Sequence, residues 1–370
     1  MVSQIVTERL TSQLLAGPPA ASAEAVAERL LAIQGQDPRG ARLAVRARTH
    51  GLTAAAVDRG LSETRSLVIA WLCRGTLHLV RTEDYPWLHA LSTPPLHTGN
   101  ARRLAQEGVS PEAAERGVTV IERSLAEEGP LSRAQLRERI SAAGVRTEGQ
   151  AFVHLLGLAS LRGLIVRGPM IGSEHAFVLV RDWLGASGMF AARRTPKGGA
   201  AAPGPVQRDQ ALAELARRYL AGHGPAEDRD LARWAGLPLR DARKGLEAIA
   251  SELVQRSDGL VDLRARAPVA APPPPRLLGA FDPLLLGWCS REAILREHKA
   301  IVTVNGLFRP FALVDGRAVA TWSLPRGRVT IAPFGRLAGA DAAALEADAG
   351  DVERFLRGHS APAERARGTR

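Results

Sequence analysis

The sequence predicts an α+β fold made of tandem three-helix units, each closed by a two-stranded hairpin, with an antiparallel strand-rich subdomain at the C-terminal end. Three observations predict it. Leu125, Gly129-Pro130 and Leu136 recur as Leu220, Gly224-Pro225 and Leu231 at a constant offset of 95 residues, as a duplicated unit would show. Each Gly-Pro is followed by helical patterns and then by short β-rich runs around a glycine turn. Beyond Pro272–Pro275, β-rich runs alternate with Asn305-Gly306 and Asp315-Gly316 turns, the dipeptides that favour hairpins.

Taken along the chain, Ser22 is an N-cap candidate for a helix running to about Ile33. Gly35 suits a left-handed helix end, and Asp37-Pro38 suits the cap and first residue of the next helix, which carries Arg39, Arg42, Arg46 and Arg48. In the non-helical hinge between them, Gln34 and Gln36 are alternate residues that face the same way. Two uses fit this pair, a functional site at the entrance of a basic helix or capping of orphan backbone groups. Runs 67–71 and 75–80 read as a hairpin that places Arg74, Thr76 and His78 on one face. His78 there is either a phosphate or water contact or a hydrogen-bonded core histidine. These elements make an N-terminal unit, residues 1–100.

The second unit, 101–185, has helices at 111–128, 133–143 and 148–163. The last two open on the capping-box pairs Ser132/Gln135 and Thr147/Gln150. Strands 164–167 and 176–181 follow, around a turn holding Gly168-Pro169 and Gly172. A Gly/Pro/Ala-rich linker with Arg193, Arg194 and Lys197 occupies 186–205. The third unit, 206–265, repeats the plan with helices at 207–221, 227–235 and 239–251 and strands 253–255 and 260–263 turned at Asp258-Gly259. The C-terminal subdomain, 276–360, reads as a β-meander of runs 300–305, 307–315, 317–323 and 328–333, closed by a helix near 340–357. Three helices plus a hairpin is the winged-helix plan, which serves DNA binding and protein contact alike.

Composition narrows the function classes. Lys and Arg number 49 against 38 Asp and Glu, a net charge of +11. That surplus suits a polyanionic partner such as DNA, and equally the arginine-rich drift of a GC-rich genome. The two cysteines, Cys73 and Cys289, exclude a disulfide framework and a cysteine zinc finger. No HExxH pair, P-loop or Rossmann fingerprint occurs, so neither a metal nor a nucleotide cofactor is expected. With no leader-like start and no long apolar run, a cytoplasmic, nucleoid-associated monomer is expected.

The segments Gln34-Gly35-Gln36-Asp37-Pro38, Arg74-Gly75-Thr76-Leu77-His78, Phe281–Gly287 and Val304–Pro310 occur in this order. Together they resemble the winged-helix DNA glycosylase family of the AlkZ type, known for azinomycin self-resistance and interstrand-crosslink unhooking. The resemblance spans nearly the whole chain. It implies a Gln-x-Gln catalytic pair at Gln34 and Gln36, with DNA contacts from Arg39, Arg42, Arg46, Arg74, Thr76, His78, Asn305 and Arg309. It departs from the family at Gly35, where an apolar side chain is expected.

The activity so implied is monofunctional hydrolysis of the N-glycosidic bond of cationic alkylated purines in double-stranded DNA. N7-alkylguanine, interstrand crosslinks and bulky natural-product adducts fall in that class, in DNA repair or in self-resistance to a genotoxin. A base already carrying positive charge leaves easily, so the enzyme need only stabilise an oxocarbenium-like sugar and place a water. Glutamine has no titratable group but its amide can orient that water. An open concave basic channel lined by the winged helices suits a crosslinked base, which cannot be extruded into a closed pocket. The exposed Asn305-Gly306 hairpin is either a groove probe or a plain turn. The competing reading is a non-enzymatic winged-helix regulator, with Gln-Gly-Gln as a structural hinge.

Overall fold

The computed structural model describes residues 3–171, 174–185, 205–266, 268–296, 300–303 and 305–357, and one winged-helix motif is used three times within them. In the second unit, helix Pro111–Glu128 ends at Gly129, which has φ 79°. Ser132 and Gln135 form the expected reciprocal capping box for helix Arg133–Ala142. Helix Ala151–Leu161 and strands β4 (Ile165–Ile171) and β5 (Glu174–Leu179) complete the unit. The third unit has helices Pro205–His223, Asp228–Ala235 and Leu239–Ala248, with strands β6 (Leu253–Gln255) and β7 (Val261–Leu263).

The duplication extends to register. Leu131 bridges Phe177 on the second wing strand, and Ala226, at the same offset of 95 residues, bridges Val261 on the other wing. In each unit the residue after Gly-Pro therefore forms a minimal first strand laid against the wing. The first unit does the same. Helix Ala23–Leu30 leads to β1 (Ile33–Gln34), which pairs antiparallel with the second strand of the wing formed by β2 (Leu67–Trp71) and β3 (Leu77–Arg81). Helices Pro38–Arg46 and Ala54–Ser62 fill the interval between β1 and the wing.

Several boundaries differ from expectation. The first of these helices stops at Leu30, because Leu31 turns to φ 64°; Gln34 is thus a strand residue, and Gly35 is no left-handed cap. Thr147 makes no capping box: its hydroxyl meets Ser141 Oγ at 2.7 Å, while the Gln150 N–H donates to Glu107 Oε2 at 3.0 Å. A carboxylate from another helix caps that N-terminus, an arrangement no local motif announces. β2 pairs with β4 through Ile69 and Arg167, so the units expected at 1–100 and 101–185 share one five-stranded sheet, β1-β3-β2-β4-β5. The C-terminal sheet is β8 (Arg276–Leu278), β9 (Phe311–Val314), β10 (Arg317–Ser323) and β11 (Thr330–Pro333), in the order β11-β10-β9-β8. Among the described residues, runs 300–305 and 307–315 join only through the bridge Val302–Phe308 ahead of β9, and β8 takes the place at the edge. Residues 186–204 of the expected linker lie outside the described residues; Pro205 begins a helix.

Helix Pro38–Arg46 turns Arg42 and Arg46 inward, and Arg48 just past its end points inward too. Arg42, Arg46 and Arg48 are almost fully buried. Arg42 pairs with Asp58 and Arg46 with Asp348 of helix Gly339–Leu356. The DNA-facing role expected for Arg42 and Arg46 is therefore corrected, since both guanidiniums are neutralised inside the protein. Arg48 uses all five N–H groups: two on Asp282 at 2.8 and 2.9 Å, two on Gln13 at 2.7 and 2.9 Å, and one on Ala44 O at 2.9 Å. This explains the Phe281–Gly287 segment. Asp282 is completely buried and also accepts from Leu284 N, while a Cβ at Gly287 would lie 2.7 Å from His223 Cδ2. Removing one partner from a buried pair leaves a charge without compensation. Asp282→Ala is expected to lower unfolding stability by about 3–5 kcal/mol, read from the midpoint of urea denaturation; a loss below ~1 kcal/mol would show that the pair is dispensable.

Four buried histidines impose a pH dependence. Burial, the largest cause in each case, pushes His78 and His223 down to about 3 and His89 and His175 down to about 4, from an ordinary 6.5. The unfolded chain therefore binds more protons than the folded one between pH 6.5 and these lowered values, so stability rises with pH across that window and is lost on acidification. Each contributes up to about 2 kcal/mol of loss at pH 5. Melting temperature is expected to fall steadily from pH 7 to pH 5, and His223→Phe to flatten that slope; parallel slopes in the two proteins would contradict the assignment.

Candidate active site

The site is built on a five-residue turn between β2 and β3. Leu72 N donates to Thr76 O at 3.0 Å and Gly75 N to Leu72 O at 2.9 Å. Closing the turn requires left-handed backbone at both Arg74 (φ 59°) and Gly75 (φ 70°). Glycine adopts this freely, but arginine does so at a cost of order 1 kcal/mol, so surrounding contacts must hold Arg74 there. Its Nη1 donates to Trp234 O, and its Nη2 reaches Gln34 Oε1 at 3.3 Å and His78 Nε2 at 3.4 Å. Burial lowers the Arg74 pKa, and the nearby positive Arg233 adds to this.

Gln34 stands opposite His78 in the β1–β3 register and is 8% exposed. His78 donates Nδ1–H to Thr76 O at 3.0 Å, which leaves Nε2 as the acceptor for Arg74. Burial and then the charge of Arg74 hold it neutral. His175 on β5 repeats the arrangement, with Nδ1 on Gly168 O and Nε2 facing Arg42. A Cβ at Gly35 would point toward Ile69 Cγ2 at 3.5 Å, ordinary van der Waals distance. Gly35 thus faces the core, and Gln34 and Gln36 alternate away from it. Gln36 and Arg39 are exposed where helix Pro38–Arg46 begins, and Asp37 caps that helix by accepting from Arg39 N at 2.9 Å.

The expected cluster thus assembles only in part. Gln34, Arg74 and His78 meet, but through the turn and not through strand alternation, because β3 begins only at Leu77. Thr76 is spent on the turn, donating to Cys73 O at 3.3 Å. Asn305 is exposed on the separate hairpin closed by the Val302–Phe308 bridge, and Arg309 is exposed immediately after it. Residues of the third unit complete the site. Helix Asp228–Ala235 presents its C-terminal carbonyl end to Arg74, where a cation is favoured. Gly236, at φ 69°, lies so close that a Cβ there would be 2.8 Å from Arg74 N. Arg233 and Arg291 add positive charge beside Arg74, and Arg291 stacks 5.1 Å over the Phe308 ring at the base of the hairpin. Within the sequence, Gly236 was readable as a helix C-cap, but nothing there linked it to Arg74. Among the described residues, no group of three or more His, Cys, Asp or Glu is placed to hold a metal ion, and no helix is long and apolar enough to cross a membrane.

A family model for AlkZ-like DNA glycosylases matches residues 27–355, a span that includes the Gln pair, the turn and the third unit. The chain belongs to the AlkZ-like DNA glycosylase family. Its fold is similar to that of Streptomyces sahachiroi DNA glycosylase AlkZ, with a TM-score of 0.73 and 25% identity over 96% of this chain and 97% of that one. A curated relative, an interstrand DNA cross-link repair glycosylase of Streptomyces sahachiroi, is 26% identical over 376 residues and 95% of each chain. In this AlkZ-like chain, Gly236 and Gly35 offer contrasting substitutions. Gly236→Ala, strained at its φ and pressed against Arg74, is expected to slow base release by tenfold or more. Gly35→Ala, which has room, should keep the rate and leave stability equal or up to about 1 kcal/mol higher; equal rates for both variants would show that the third unit does not position Arg74.

Proposed function

We propose that this AlkZ-like protein hydrolyses the N-glycosidic bond of cationic alkylated purines in double-stranded DNA, with N7-alkylguanine as the simplest substrate. Gln34 and Gln36 orient the attacking water. The observation that carries this reading is the Gln34 amide, held by Arg74 beside a histidine that stays neutral down to about pH 3. Such a site orients well and abstracts protons poorly, which suits a leaving group already charged. Water adds to C1′, the C1′–N9 bond breaks, and its electron pair neutralises the N7-alkylated purine; the water proton passes to solvent.

Alignment of nearly the whole chain with a cross-link repair glycosylase supports interstrand crosslinks as a further substrate, in repair or in self-resistance. In this reading Arg39, Arg74, Arg233 and Arg291 contact phosphates, the 302–308 hairpin with Asn305 and Arg309 reaches into a groove, and the protein acts as a monomer without a cofactor. Bound water is placed by geometry and not by a base, so the rate should hardly change between pH 5.5 and 8.

Duplex containing N7-methylguanine is expected to release free base, and Gln34→Ala/Gln36→Ala to reduce that rate about 10²–10³-fold, the effect of losing one preorganised polar group. Uracil in the same duplex should stay bound. Asp37→Asn keeps the helix cap and should keep the rate within about tenfold; a collapse there would move the catalytic role to Asp37. Absence of release from the parent protein would favour a regulator that binds DNA without chemistry.

A further inference from the structure

A second cluster of positive charge lies away from the Gln pair, where the first and third units meet. A cavity of about 200 Å³ is lined by Thr11, Ser12, Arg29, Leu220, Leu263 and Arg266. Thr11 and Arg29 come from the N-terminal helices, Leu220 from helix Pro205–His223, and Arg266 from the chain leaving β7. The backbones are in close contact here, since a Cβ at Gly222 would lie 2.3 Å from Arg29 O.

The charges in this cavity do not balance. Arg266 pairs with Asp262 and donates to Ser12 Oγ and Glu8 O, but its buried Nε has no protein partner. Arg29 makes no salt bridge among the described residues. Its neighbour Glu28 is exposed and lies 3.3 Å from Arg81 instead. Burial lowers the Arg29 pKa and the charge of Arg266 lowers it further, as two guanidiniums sharing one cavity require. One positive charge is thus held half-buried beside another with no salt-bridge partner, and the exposed Glu28 carboxylate offsets this only in part, which is costly unless an anion joins the two guanidiniums.

We infer that the Arg29–Arg266 cavity binds a phosphate-type oxyanion that bridges the first and third units. The planar forks of two arginines suit tetrahedral oxyanions, and the volume admits a phosphate group with a short substituent. The anion is either a backbone phosphate of bound DNA or a free phosphate, and both would draw together the units that also meet at Arg74 and Gly236.

The test is thermal unfolding of the full chain in inorganic phosphate against chloride at equal ionic strength. The parent protein is expected to gain a shift on the order of 2–5 °C once phosphate reaches about a hundred times its Kd, growing with the logarithm of phosphate concentration. Arg29→Gln should lose that shift, and Arg29→Lys, which keeps the charge without the fork, should need at least tenfold more phosphate. A shift that is absent in the parent, or equal in parent and Arg29→Gln, overturns the proposal. Binding of undamaged duplex across a salt series identifies the source of the anion. A DNA phosphate predicts that Arg29→Gln reduces the salt slope by about one, whereas a free phosphate predicts parallel slopes while the thermal shift persists.

Discussion

The Arg48–Asp282 pair is the interaction on which the rest of the molecule depends. Two charges with no solvent exposure are tolerable only when every donor finds an acceptor, and Arg48 satisfies all five of its N–H groups on Asp282, Gln13 and Ala44. Those partners come from the end of the N-terminal helix, the helix after the Gln pair and the segment between β8 and β9 of the C-terminal sheet. One side chain thereby joins three stretches distant in sequence, and it can do so in one geometry only. Arg46 with Asp348 and Arg42 with Asp58 extend the same logic along the helix, so a stripe that looks like a DNA-binding face is an internal scaffold.

With that scaffold set, the position of the Gln pair follows from the winged-helix plan. In all three units a minimal strand after the first helix lies against the second wing strand, represented by Leu131, Ala226 and Ile33–Gln34. In the second and third units this strand is a single bridging residue with an apolar side chain. In the first it carries glutamine, placed opposite His78. The candidate chemistry therefore sits at a structural joint of the unit and not on its third helix, the element that winged-helix regulators use for recognition.

The joint is completed from outside its own unit. Arg74 holds a left-handed backbone because the carbonyl end of a third-unit helix accepts its guanidinium and Gly236 leaves it room. The same guanidinium then fixes the amide of Gln34 and meets the neutral face of His78. Association of the first and third units is thus part of the site itself.

The sequence by itself determined the elements whose causes are local. Helix Pro111–Glu128, the Ser132/Gln135 box, the Asp37-Pro38 helix start, the Asp315-Gly316 turn and the helices Asp228–Ala235 and Leu239–Ala248 all follow from caps, turns and periodicity within a few residues. The 95-residue offset held even for the bridging residues Leu131 and Ala226. Tertiary structure alone decided which arginines are interior, where Gln150 finds its cap, that β8 and not residues 300–305 forms the sheet edge, and that Gly236 touches Arg74. The physical reason is range. Capping and turn chemistry are paid back by neighbours along the chain, whereas a buried charge, a sheet edge or a close backbone contact is settled by partners tens to hundreds of residues away, which no local pattern encodes.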